Sequence, residues 1–486
     1  MQEEMTISQA LEGPYPTSGK LGKPFWVVWG IELWERFGFY GTQAILALYF
    51  VKQLGYSESL SIDVFGSFSA FVYGFVWIGG YMGDSYLGTK RTMILGAIIL
   101  MLSYTWLALS NPHTVFYALA TIVIGNTLFK ANSSALIAKM YRKGDPAFDG
   151  AMTMYYMAVN LGSLVSMFLT PIIADVWGWS YAFWLCAFGL FLGVINYFVC
   201  VRILDSLDTG ADKEPLNIGR LSIVLILSAL SIGVIAWLLP QTFICSMIVY
   251  IVVTAVFLYF LKLAFDRQGS ERTRMFVSLI LIIQAIIFFV LYNQMPTSLT
   301  FFAVHNVNNI LYGINIPPAE YQLLNALVIV AMSPVLVWFY HKVKSTHVTK
   351  FCLGMTLCAI AFFVLFVARY FAIDGLVSPW WMVLTYYFQS VGELLISGLG
   401  LAMVAELCPT SMAGFVMGIW FLASMLSGPL GAWVGNLTEP NGGLSNLTAI
   451  QTLTIYTRVF LQIGVATAVV AVIMWAMRPM LNRYIN

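Results

Sequence analysis

The chain is poor in charge. Of its 486 residues, 24 are lysine or arginine and 22 are aspartate or glutamate, while 60% are hydrophobic and mean hydropathy is +0.83. A soluble globular chain of this length could not bury so much apolar surface. The net charge of +2 offers no basic field for nucleic acid. Histidine is scarce too, with only four, at 113, 305, 341 and 347, all in or beside loops. Neither His-Glu-x-x-His nor Gly-x-Ser-x-Gly occurs, so nothing points to a metalloprotease or a serine hydrolase. The chain therefore reads as a non-enzyme without metal or organic cofactor. The cysteines (186, 200, 245, 352, 358, 408) lie almost entirely in apolar runs without ligand spacing, and are expected to be small buried hydrophobes, not a disulfide framework. Residues 1–22 are polar and lack a short apolar core, so an inner tail is expected there, not a signal peptide.

What remains is apolar runs near the twenty residues that a helical span requires. Fourteen are expected, over 24–52, 62–86, 91–110, 114–140, 150–174, 179–202, 219–239, 243–264, 274–303, 318–342, 349–371, 379–407, 411–436 and 452–480. Turn-forming sequences separate them, among them Asn111-Pro112, Pro317-Pro318 and Glu439-Pro440-Asn441-Gly442-Gly443. With an inside N-terminus, nineteen of the 24 basic residues fall in inner loops and tails, which places both termini in the cytoplasm. The seventh and eighth runs form a hairpin with no charged residue between Leu221 and Leu261. Lifting it out leaves six spans on each side. The expected fold is thus an all-α integral membrane protein of major-facilitator type: two six-helix bundles (6+6) plus a central two-helix hairpin, 14 transmembrane helices. Its divisions are a tail (1–22), a first bundle (23–202), linkers with the hairpin (203–273) and a second bundle (274–482).

Inside these spans the unambiguous charges are few: Glu32, Glu35, Arg36, Lys130 and Glu393. The spacing of the first three puts them on one helical face. An ionisable group at membrane depth is expensive, so it faces a bundle interior or a water-filled path. Two acids beside one base suggest a group that binds and releases protons or charged solute; the alternative is a self-neutralising Glu–Arg pair that locks two helices. Lys130, mid-span after Gly125-Asn126-Thr127-Leu128-Phe129, and Glu393, in Gly392-Glu393-Leu394, read as cavity residues or as partners in a static bridge.

The stretch Gly80-Tyr81-Met82-Gly83-Asp84-Ser85-Tyr86-Leu87-Gly88-Thr89-Lys90-Arg91 resembles the major-facilitator loop signature, with one extra residue before the second glycine. Gly80, Asp84, Gly88, Lys90 and Arg91 are its candidate conformational residues on the inner side. With Glu32-Leu33-Trp34-Glu35-Arg36-Phe37-Gly38-Phe39-Tyr40-Gly41, Tyr155-Tyr156-Met157-Ala158-Val159-Asn160-Leu161-Gly162, Lys130 and Gly392-Glu393-Leu394, nearly the whole chain resembles the proton-coupled oligopeptide transporter family. The similarity is to its bacterial di- and tripeptide permeases.

That resemblance implies a bacterial inner-membrane symporter that moves di- and tripeptides with protons, its partners being peptide, proton and lipid bilayer, and the chain monomeric. It implies that Arg36 and Lys130 receive the peptide carboxylate, that Glu393 and Asn325 receive its ammonium, and that Asn160 holds its backbone. Tyr40, Tyr73, Tyr292, Gln322, Ser397 and Trp420 would line the rest. Proton coupling would rest on Glu32, Glu35, Arg36, Lys130 and Glu393, with alternating access by rocking of the two halves and Pro171, Pro296, Pro334 and Gly428-Pro429 as candidate hinges. Two departures stand out. Many members pair a base at position 43 with an acid at 293, where this chain has Gln43 and Asn293, and many have tyrosine where it has Phe39. The competing readings are a family member for another solute, such as nitrate or a drug, a channel, and a peptide sensor without flux.

Overall fold

The computed structural model describes residues 21–141, 146–207, 210–342, 346–408, 413–440, 443–444 and 447–485. They are almost entirely helical, because a backbone in hydrocarbon must satisfy its hydrogen bonds within its own segment. In chain order the helices are α1 (Lys23–Lys52), α2 (Glu58–Gly74), α3 (Val76–Met82), α4 (Thr89–Ala108), α5 (Val115–Lys139), α6 (Pro146–Val176), α7 (Trp179–Cys200) and α8 (Ile218–Leu238). They continue as α9 (Thr242–Phe265), α10 (Gly269–Tyr292), α11 (Ser298–Asn306), α12 (Leu323–Lys342), α13 (His347–Ala368), α14 (Trp380–Leu407), α15 (Ala413–Asn436) and α16 (Ala449–Ile485).

Among the described residues, twelve helices are long and apolar enough to cross a membrane. The expected count of fourteen exceeds these by α1 and α14, which have 30 and 28 residues. Glu32, Glu35 and Arg36 lower the hydropathy of α1 in its middle, and those three charges are buried inside the protein. Two expected runs prove to be interrupted. The run 62–86 bends at Phe75 and closes in a π-helical turn over Gly83–Leu87. The run 274–303 breaks between Tyr292 and Ser298, where Pro296 has no N–H to give. Pro171, Pro334 and Pro429 lie within continuous helices.

The chain forms two compact units. The first comprises residues up to Thr42 and Phe75–Pro240; the second comprises Gln43–Gly74 and Gln241–Asn486. In the first, α4 packs against α5 and α7, and α3 and α8 each pack against α5. In the second, α13 packs against α14 and α16, and α15 packs against α2 and α10. A two-residue hairpin, Ile310–Leu311 with Ile314–Asn315, turns through Tyr312 and Gly313, both at positive φ, as a tight primed turn requires. All six cysteines are free, as expected, and five of them are buried.

Candidate functional site

The first unit carries the charged turn. Arg36 Nε lies 3.1 Å from Glu32 Oε1 and also contacts the Glu35 carboxylate. All three side chains are essentially inaccessible, Glu35 at 0%. The second oxygen of Glu32 accepts from Ser133 Oγ at 2.6 Å, and Ser133 Oγ lies 3.1 Å from the Tyr155 hydroxyl. The Arg36 guanidinium sits 5.3 Å from the centre of the Phe39 ring. Phenylalanine at 39 therefore still gives the cation a π face, although it offers no hydroxyl. Lys130, half-buried on α5, is within electrostatic reach of Glu35, Glu32 and Arg36.

Gly162 brings α6 onto this turn. A Cβ there would collide with the Leu33 carbonyl and lie 3.0 Å from Phe37 N and 3.2 Å from Arg36 Cβ. Asn160, two residues earlier, is buried and donates to the Tyr156 carbonyl of its own helix at 2.8 Å. Tyr40, on α1, is half-buried.

At the start of α4 the loop signature is tied down by the end of α5 and by the segment after α7. Asp84 pairs with Lys139 at 3.0 Å, and Lys90 with Asp205 at 3.2 Å. Arg91 donates to the carbonyls of Ala211, Asp212 and Glu214 at 2.9, 3.2 and 2.6 Å. Asp212 accepts from Thr89 N at 3.0 Å, capping the helix, beside Gly88 at φ +101°. Gly80 faces Ala131 of α5.

The second unit holds the remaining acid. Glu393 Oε2 accepts from Asn325 Nδ2 at 2.7 Å, and the same amide donates to Ser390 Oγ at 3.0 Å. Glu393 and Asn325 are both buried. Gln322, also buried, donates to the Ala44 carbonyl and to Thr300 Oγ1, at 2.9 and 3.2 Å. A cavity of about 170 Å³ is lined by Gln43, Tyr73, Phe289, Tyr292, Asn293 and Trp420, with Phe421 and three serines. The Ser397 side chain lies outside the described residues.

Within the first unit the structure thus gathers Glu32, Glu35, Arg36 and Lys130, and within the second it joins Asn325 to Glu393 and places Tyr73, Tyr292 and Trp420 on one cavity. Sequence reasoning missed Ser133, Tyr155 and Ser390 as partners. The signal was present: Ser133 lies three residues after Lys130, and Ser390 three before Glu393, each on the same helical face. Asp205, Asp212 and Glu214 carried no such signal, because their contacts are over a hundred residues away in sequence.

Long apolar helices that bury acid–base clusters define a multi-span membrane protein, and the architecture is the major-facilitator fold. The sequence model of the POT family matches residues 90–443. Over 96% of its length the chain is 47% identical to the dipeptide and tripeptide permease B of Edwardsiella piscicida, covering 96% of that protein. It is 46% identical to permease A of Salmonella typhi, with 96% and 93% covered. Among solved structures it is similar to tetrameric PepTSo2, with TM-score 0.85, 39% identity, and 95% and 98% of the two chains covered. It also resembles a mutant of the peptide transporter POT in complex with alafosfalin, with TM-score 0.84, 27% identity and 98% of each chain covered. The chain belongs to the POT family.

Proposed function

We propose that this protein is a proton-coupled symporter that imports di- and tripeptides across the bacterial inner membrane, with both termini cytoplasmic. The observation that carries the reading is the buried Glu32–Glu35–Arg36 turn with Lys130 in its field. Burying two acids and a base together, with a second base beside them, has a large desolvation cost, and a purely structural lock needs only one acid–base pair. The permease relatives support peptides as the solute.

In this reading Arg36 and Lys130 receive the peptide carboxylate, and Glu393 with Asn325 receives the ammonium. Asn160 holds the peptide backbone, and Tyr40, Tyr73, Tyr292, Gln322, Ser397 and Trp420 contribute to the surrounding surface. Asn160 must exchange its bond to the Tyr156 carbonyl to do so. Each ionic group already has a protein partner, so ligand and partner compete: protonation of Glu32 or Glu35 releases Arg36, and an arriving ammonium replaces the Asn325 amide on Glu393. Alternating access of the halves 23–202 and 274–482 moves the loaded site from one side to the other, and the Asp84, Lys90 and Arg91 contacts brace the inner end of the first. The transport unit is read as a monomer, which light scattering of the purified protein distinguishes from a tetramer.

The test is uptake of labelled Ala-Ala into proteoliposomes with an alkaline interior, for wild type and for Glu32→Gln, Lys130→Ala and Glu393→Gln. Accumulation above equilibrium that the substitutions abolish is the expected result. Uptake that only equilibrates would refute proton coupling, and binding without any uptake would make the protein a sensor.

A further inference from the structure

Helix α9 belongs to the inserted segment and to neither of the proposed halves, yet within the second unit it lies against both α2 and α15. Along its 24 residues only Cys245, Val249, Val253, Phe260 and Ala264 are buried, a single stripe at helical spacing. The first part of that stripe covers the seam where α2 meets α15. Val249 and Val253 form one cluster with Ala70 of α2 and Met425 of α15, and Phe257, Leu422 and Leu426 pack against it. One turn before Val249, the free and buried Cys245 thiol is within hydrogen-bonding reach of the Ser67 hydroxyl on α2. The seam itself is a backbone contact: a Cβ on Gly66 would lie 2.7 Å from the Gly428 carbonyl oxygen. Paired glycines let helices touch without interlocking side chains. The longer side chains of α9 therefore bridge the two helices where the seam has none.

Resting on the alternating-access reading, we infer that α9 is a clamp carried by the half 274–482, which holds α2 onto α15 and releases α2 in each cycle. In that reading α2 travels with residues 23–202 and α15 with residues 274–482. A helix packed on both cannot keep both contacts when the halves part. The partner it keeps follows from the chain. Only residues 266–268 separate α9 from α10, and α9 packs against α10 and more extensively against α15 than against α2. Lipid supplies no hydrophobic drive between helices, so side-chain packing along this stripe is what favours the docked arrangement. The opposite side of α9, where Ile251 and Leu258 are exposed, takes no part in it.

Ser67→Cys sets a second thiol beside the native Cys245. In proteoliposomes of the full-length variant, oxidation with copper phenanthroline should join α9 to α2 and abolish Ala-Ala uptake, and dithiothreitol should restore it. The same variant with Cys245→Ala should ignore the oxidant. Unchanged uptake with the cross-link verified by mass spectrometry would overturn the clamp, because α9 would then stay with α2 throughout. Failure to cross-link would overturn the contact on which it rests. A second readout needs no flux: the rate of maleimide labelling of Cys245, followed on its own peptide by mass spectrometry. Val253→Ala should speed labelling about tenfold by loosening the stripe, and Ile251→Ala should leave it unchanged. Equal rates in these two variants would likewise overturn the clamp. If the labelling contrast holds but the reduced wild type takes up no Ala-Ala, the clamp stands and peptide transport falls.

Discussion

Gly162→Ala adds one methyl group at the point where α6 meets the charged turn of α1. That Cβ would overlap the Leu33 carbonyl oxygen and press on Phe37 N at 3.0 Å and Arg36 Cβ at 3.2 Å. Two of these three atoms are main chain, so no rotamer change relieves the contact. The helices must part by about 1 Å, at an overpacking cost of about 1–3 kcal/mol. The better helix propensity of alanine returns about 1 kcal/mol, leaving a net loss of about 0–2 kcal/mol in stability. Function should suffer more than stability, because the displaced residues are Arg36 and its acids, and about 1 Å of misplacement costs roughly 100-fold in a positioned site. The control is Gly233→Ala on α8, where a Cβ meets nothing within 4 Å, so uptake should be unchanged and stability equal or slightly higher. Thermal unfolding in detergent and Ala-Ala uptake in proteoliposomes, run on both variants, check the pair. Wild-type uptake by Gly162→Ala would show that the close approach of α6 does not set the charged turn.

Three further outcomes follow from the hydrogen-bond geometry. Asp212→Ala removes the cap on Thr89 N and should cost about 1–2 kcal/mol, seen as faster amide exchange over residues 88–92 while Asp212→Asn stays close to wild type; unchanged exchange would refute the tie. Glu439 contacts the Ser59 amide, and burial, with Glu58 and Asp63 nearby, raises its carboxyl above the usual range. The folded state therefore holds that proton more tightly than the unfolded chain, so stability falls as pH rises from the ordinary carboxylate range through the raised value; Glu439→Gln should flatten the thermal-unfolding profile in that window, and an unchanged slope would refute the assignment. Tyr104, at 0% exposure, buries a hydroxyl that has no hydrogen-bond partner among the described residues, so Tyr104→Phe should raise thermal stability by about 1 kcal/mol, whereas a loss would mean that the hydroxyl is bonded in the native protein.

Much of the architecture was legible because lipid leaves the chain few choices. Apolar run length gave the helices, and the scarcity of charge made Glu32, Glu35, Arg36, Lys130 and Glu393 conspicuous. Interruptions were less legible. Pro296 marked the break after α10, but the bend at Phe75 has no proline and lies in a glycine-rich run that sequence cannot distinguish from a straight helix. The partners of the charges were the least legible, since serine and asparagine occur throughout the spans. Only packing selects Ser133 for Glu32 and Asn325 for Glu393. The docking of Asp205, Asp212 and Glu214 on the loop signature depends on a tertiary return of the chain that no periodicity reports. At 43 and 293, by contrast, the sequence announced the loss of both charges, and the structure shows what remains: Asn293 bound to Ser427, and Gln43 with an oxygen that meets no donor among the described residues.

The buried groups also bear on the charge balance of the proposed peptide-loaded state. Glu32, Glu35, Arg36 and Lys130 sum to zero when all are ionised, a balance that suits a site removed from water. In the proposed cycle a peptide carboxylate would bring one negative charge to that set, and one proton on Glu32 or Glu35 would restore neutrality. Glu393 pairs with the neutral Asn325 amide and, among the described residues, with no cation, so in the proposed cycle the peptide ammonium would balance it without any proton. In the proposed cycle the two sites thus ask different things of the ligand: the first would exchange a proton for the carboxylate, and the second an amide hydrogen bond for a charge. On the proposed reading one proton at the first site leaves the peptide-loaded protein without an uncompensated charge at either site. Because the 43/293 pair contributes no charge, it cannot alter that balance.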